Sequence, residues 1–189
     1  MPEFWRGQRI YAEHVLGLLA PGREIPSHSA DRVAAASLAG WSPYELFLMI
    51  EEGRRELDRQ ARDFERVQAR AQWLYTVAAA VTAAIGTTLV KGDPTFIHWV
   101  LGLVALVLLG WGTAGAVAIV VVRADFSVIH APVLSGLARP VDFALAETYA
   151  GMMSTGANTV ATRVTVLRQA VVLVATGGYL GLLSSLLMQ

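Results

Sequence analysis

The sequence contains no cysteine, which removes disulfides, thiol nucleophiles and cysteine-ligated metals from the chemistry open to it. It is also short of charge. Only 16% of its 189 residues are Asp, Glu, Lys or Arg, against roughly 25% in ordinary soluble domains, while 54% are apolar. Three stretches have no charged side chain: between Arg70 and Lys91, between Asp93 and Arg123, and after Arg168. Each reaches the roughly 20 residues that a helix needs to cross about 30 Å of hydrocarbon.

Other absences narrow the function. There is no nucleophile elbow, Gly-rich phosphate loop or HExxH-type pair. His14, His28, His98 and His130 are scattered without metal-ligand spacing, with His98 near the end of an apolar run. Ser27, His28, Ser29 and Asp31 read as a capped turn. The expectation is therefore no enzyme, no metal and no cofactor. Residues 1–70 balance ten arginines against eleven acidic residues, which argues against non-specific nucleic-acid binding by bulk charge. Apolar runs without ionisable groups argue against a pump or coupled transporter. The opening residues carry mixed charge and a short apolar run ended by Pro21 and Gly22, which does not fit a secretory signal.

What is present reads as helix throughout. Phe4, Tyr11, Val15 and Leu18 recur at helical steps with Trp5, Leu16 and Leu19 beside them, predicting an amphipathic helix over Phe4–Leu19. A short helical stretch follows from Ser29 to Leu38, closed by Gly40. Ser42, Pro43 and Glu45 form a capping-box pattern with proline at the first helical position. From there a single long helix is predicted to run through residue 90, its first part reaching roughly 40 Å at about 1.5 Å per residue. Ile50, Leu57, Phe64 and Ala71 repeat every seven residues, a stripe narrow enough for a coiled coil between copies of the chain. Glu51/Arg55, Glu52/Arg55 and Asp58/Arg62 stand at pairing distance on the same helix. Arg54, Arg55, Arg62, Arg66 and Arg70 read either as a solvated face or as a set that binds a nucleotide or oligonucleotide.

The expected fold is an all-α integral membrane protein with three transmembrane helices, two of them extended into long cytoplasmic helices. Residues 1–43 form an N-terminal cytoplasmic segment and 44–70 a stalk helix. Residues 71–122 form a two-helix hairpin turned at Lys91 to Pro94, with Asp93 as cap. Residues 123–168 comprise an irregular cytoplasmic loop and a second stalk helix, and 169–189 the third crossing. Arginine and lysine counts orient it: ten in residues 1–70 and four after the second crossing, against Lys91 alone in the hairpin turn. The positive-inside rule then puts both large segments in the cytoplasm and Gln189 outside. Ala79/Ala83, Ala114/Ala118 and Gly177/Gly181 are small pairs that let helices approach closely, within a chain or between copies.

Leu57–Thr76, LDRQARDFERVQARAQWLYT, and Asn158–Leu173, NTVATRVTVLRQAVVL, resemble small bacterial membrane proteins that act as effectors in anti-phage systems. These include SLATT-domain proteins and the membrane effectors of Pycsar-type and Hailong-type defence. The likeness spans roughly residues 44–188: a charged helix entering a span, a tight hairpin, and a second helix feeding the last span. It implies a homo-oligomeric, membrane-disrupting channel held closed until a nucleotide-derived signal changes. Arg66, Arg70, Arg163 and Arg168 match the family's boundary arginines, and Arg62 joins them as a candidate ligand-binding residue. A dewetting gate needs no charge ring, so Thr82, Thr113 and Thr176 are candidate pore-lining positions. Ile50, Leu57, Phe64, Gly177 and Gly181 are the candidate oligomer interface. The alternative is a non-conducting anchor or scaffold that recruits a soluble partner.

Overall fold

A computed structural model of the chain describes residues 2–18, 38, 40–91, 96–122 and 140–186. Among these residues it contains four helices and no strand: α1 Pro2–Gly17, α2 Pro43–Lys91, α3 Phe96–Val121 and α4 Val141–Leu186. The expected boundaries of the three long helices hold to within a few residues. The stretch Ser29 to Leu38, save Leu38 itself, the turn residues 92–95 and the loop 123–139 lie outside the described residues.

The start of α2 shows how locally the sequence acts. Gly40 has φ of 92°, a left-handed conformation that a residue without Cβ adopts at least cost, and the Trp41 amide bonds the Leu38 carbonyl at 3.1 Å. Ser42 then caps the helix. Its amide and hydroxyl both donate to Glu45 Oε2 at 2.7 Å, and the Glu45 amide donates to Ser42 Oγ at 3.4 Å. The same two donors hold the Glu45 carboxyl below its ordinary pKa.

The chain divides into two compact units. One takes its parts from Met1–Pro26, Val67–Val122 and Arg163–Gln189, the other from Ser27–Arg66 and Arg123–Thr162. In the first unit, Val67, Ala71, Leu74 and Ala78 of α2 are buried at steps of three and four. They join Ala105, Leu109, Ala116 and Ile119 of α3 and Val166, Ala170 and Val174 of α4. Helices α3 and α4 run antiparallel in a strict register. His98 meets Ser184, Ala105 meets Gly177, Gly112 meets Ala170, and Ile119 meets Arg163, each rung seven residues from the next on both helices. Glycine occupies the two middle rungs. A Cβ on Gly177 would stand 3.0 Å from the Ala105 carbonyl oxygen and 3.1 Å from the Leu109 amide, and one on Gly112 would stand 3.1 Å from the Ala170 carbonyl oxygen. Helix α4 also lies along α2, where Gly181 admits Ile85.

In the second unit α2 again packs on α4. Leu46, Gly53 and Gln60, seven residues apart, are buried there. Leu46 clusters with Leu38 and Ala146, Gly53 leaves room for Tyr149, and Gln60 Nε2 donates to the Met153 carbonyl at 3.2 Å. Ile50 packs against the same cluster, while Leu57 and Phe64 are half-buried. The seven-residue stripe read as a contact between copies is thus partly covered within the chain itself. Its neighbouring positions meet Ala146, Tyr149 and Met153 of α4, and Gly53 of α2 leaves the room for the tyrosine.

Backbone atoms cannot move aside as side-chain tips do, so Gly177→Leu should lower the stability of the purified protein by about 1–3 kcal/mol, the usual cost of overpacking. Gly110 has no neighbour within 4 Å of where a side chain would start. Thermal unfolding in detergent should then show a clear drop for Gly177→Leu and little change for Gly110→Leu.

Candidate functional site

The densest buried polar chemistry in the first unit gathers where α1 meets α3 and α4. Pro2 starts α1 at a position where no amide donor is missed. Gly7, Ile10, Tyr11, His14 and Val15 form its buried face. The stripe read from the sequence is on this face at Tyr11 and Val15, while the flanking Trp5 and Leu16 point outward, 70% and 43% exposed, and the centre of the buried face is glycine, tyrosine and histidine.

Each of these residues has a specific seat. Gly7 lies against Thr165 and Gln169, and Gln8 Nε2 donates to Gln169 Oε1 at 3.1 Å. The Tyr11 hydroxyl donates to the Trp111 carbonyl at 2.6 Å, and the two rings stand 6.3 Å apart at 55°. A side chain on Gly115 would collide with the Tyr11 ring, so the glycine makes the seat. Burial drives the Tyr11 hydroxyl far above its ordinary pKa and keeps it a neutral donor.

Arg163 is only 2% exposed. Its guanidinium donates to the Ile119 carbonyl and, at 2.5 Å, to the Val122 carbonyl. These carbonyls close α3, where the last turn leaves acceptors without intrahelical donors and the helix dipole is negative. The Val122 amide serves the Ala118 carbonyl at 3.0 Å, so amide and arginine together finish the helix. His14 is likewise buried, and its Nδ1–H donates to the Ile10 carbonyl at 3.1 Å. Burial pushes its pKa down, and the Arg163 charge adds to this. The Ile10 carbonyl and Glu13 oppose it. The group holds α1 against the end of α3 and the middle of α4.

The other residues singled out from sequence are placed differently. Arg62, Arg66, Arg70 and Arg168 are exposed, with Arg66 paired to Asp63 at 2.9 Å. Arg163 is the exception, taken up inside the fold. Arg55 pairs with Glu51 and Glu52, and Arg59 with Glu52 and Glu56, whereas the Asp58/Arg62 pair does not form. Such exposed pairs are worth at most about 1 kcal/mol each. Thr82 and Thr113 are half-buried and spend their hydroxyls on the Ala78 and Leu109 carbonyls of their own helices. Thr176 is exposed. Gly177 and Gly181 are buried inside the chain's own helix bundle, serving α3 and α2 of the same molecule. His98 is fully buried, with Nδ1 donating to the Ser184 carbonyl at 2.8 Å. Among the described residues no group of three or more His, Cys, Asp or Glu could hold a metal.

Tyr11, His14 and the Arg163 cap were absent from the sequence-based site. The seven-residue spacing of Arg163, Ala170, Gly177 and Ser184 was the signal available for α4. No family model, curated protein or solved structure matches the chain.

His14 gives the α1 seat a pH dependence with a definite sign. A detached imidazole takes its proton near its ordinary value of about 6.5, and the seated one takes it at lower pH. The detached state therefore binds more protons as pH falls. Attachment should be complete above about 6.5 and weaken as pH drops through the seated value. Hydrogen exchange of α1 amides, corrected for intrinsic rates, should show protection falling with pH in the wild type. The fall should be largely absent in His14→Gln.

Proposed function

We propose that this chain is a bacterial inner-membrane protein that crosses the bilayer three times and works as an oligomeric, regulated pore in antiviral defence. The observation that carries the membrane part is the surface of α2, α3 and α4. All three are long and apolar enough to cross a membrane, yet no more than 39% of the residues in each apolar window are buried within the chain. In water this would leave an apolar surface far beyond what soluble proteins tolerate. Exposed aromatics support it: Trp73, Tyr75 and Trp111 toward one end, Phe96, Trp99 and Tyr179 toward the other, as in the belts that mark membrane boundaries. The arginine distribution favours a cytoplasmic N-terminus and an outer C-terminus.

The pore part rests on the resemblance of residues 57–76 and 158–173 and on a contrast between outward faces. Helices α3 and α4 expose large side chains such as Leu103, Val107, Val172 and Leu182. The apolar part of α2 exposes Thr76, Ala79, Ala80, Ala83, Ala84 and Thr87. Small residues suit close helix contact between copies, and the interior around Leu109 and Ile119 is filled. A conducting path therefore runs between copies. The exposed arginines Arg62, Arg66, Arg70 and Arg168 are the candidate contacts for a nucleotide-derived regulator.

The scaffold reading draws on a different patch. Trp41, Tyr44, Phe47 and Leu48 are exposed at the start of α2, a surface suited to a soluble partner.

Two measurements test these readings. A topology reporter fused after Gln189 should be active outside the cell, and one inserted near Gly136 should be active inside. Both on one side would overturn the three-crossing reading. Cells expressing the chain should depolarise, and Arg66→Ala or Arg70→Ala should change that depolarisation at matched protein levels. Fully polarised cells, together with silent planar-bilayer recordings with and without nucleotides, would favour the scaffold.

A further inference from the structure

The outward face of α1 is sorted in a way that packing within the chain does not require. At about 100° per residue, Trp5, Ala12 and Leu16 fall along one edge of that face, and Arg9, Glu13 and Arg6 along the other. Trp5, Arg6, Arg9 and Leu16 are all exposed. The opposite face is fixed: the Tyr11 hydroxyl holds the Trp111 carbonyl and Gln8 holds Gln169. These anchors set α1 at the end of the apolar helices where Trp73, Tyr75 and Trp111 are exposed and where exposed Arg70 and Arg168 stand at the limits of the apolar runs.

From this sorted face we infer that α1 is an interfacial helix that binds anionic phospholipid headgroups of the leaflet bordering Arg70 and Arg168. The inference rests on the membrane reading above and is independent of conduction. Trp5 and Leu16 enter the acyl boundary, as the apolar edge of a surface helix does. Arg6 and Arg9 meet the phosphates, with Arg9 also bonded to Glu13 at 2.8 Å, so that one carboxylate is shared rather than left to repel the surface. Charge selects the lipid, since an arginine near an anionic leaflet contributes about a five-fold preference, less at Arg9, whose charge Glu13 shares.

The absence of cysteine makes the test direct. Full-length chain carrying Leu16→Cys, labelled with a nitroxide, is reconstituted into liposomes of phosphatidylcholine, or of phosphatidylcholine and phosphatidylglycerol in equal parts. Resistance to alkaline carbonate extraction is checked first. Relaxation by oxygen should exceed relaxation by a water-soluble nickel complex, and this contrast should grow with phosphatidylglycerol. Arg6→Gln with Arg9→Gln should abolish that growth. Inorganic phosphate added to phosphatidylcholine liposomes should leave the contrast unchanged. Nickel access in both lipids, a phosphatidylglycerol response that survives the double variant, or a response to phosphate alone would overturn the inference. A label shielded from both reagents would mean a protein surface covers the helix and would also overturn it. Extraction by carbonate would instead remove the membrane reading, and the inference with it.

Discussion

The register between α3 and α4 is the constraint on which the first unit depends. In the membrane proposed for this chain, apolar surface would give helices little reason to associate, so contact would come from close packing and hydrogen bonds. The ladder supplies both. Gly112 and Gly177 bring backbones together at the middle rungs, where van der Waals contact is greatest for the atoms involved. His98 with Ser184 and Arg163 with the α3 carbonyls close the ends with polar bonds. A slip of one residue would put side chains into the glycine contacts and leave a buried guanidinium without acceptors, so the two devices enforce the same register.

The seat of α1 follows from that register. Arg163 is tolerated in a buried position because the end of α3 presents carbonyls that need donors, which offsets the cost of removing the charge from water. Once α3 ends there, Gly115 faces an opening that a tyrosine ring fills, and the Trp111 carbonyl receives its hydroxyl. His14 then lies close enough to Arg163 for the two to repel when both are charged. The packing of α1 is thereby coupled to protonation and, on its outer side, to whatever surface Trp5 and Arg9 meet. Helix α1 is attached by one tyrosine, one glutamine pair and one histidine.

Helix α2 illustrates how one pattern serves several ends. It meets α4 in each unit, through Leu46, Gly53 and Gln60 in one and through Ile85 at Gly181 in the other. What remains outward is a charged face, then a small-residue face, and at its start an aromatic patch.

The sequence by itself determined the helices. Charge-free runs, the Ser42/Glu45 cap, and the prolines and glycines between periodic segments act locally, and local signals place Pro43–Lys91, Phe96–Val121 and Val141–Leu186 almost residue by residue. It did not determine which stripe faces which neighbour. A seven-residue repeat reads the same whether its partner belongs to the same chain or another, so Ile50 and Gly177 pointed to copies when α4 and α3 of the same molecule were at hand. Nor did it mark Arg163 as a helix cap, because a cap formed by a residue 44 positions away leaves no local trace. Tertiary structure decided those points, since only a fixed register shows which carbonyls lack donors and which glycines lack room.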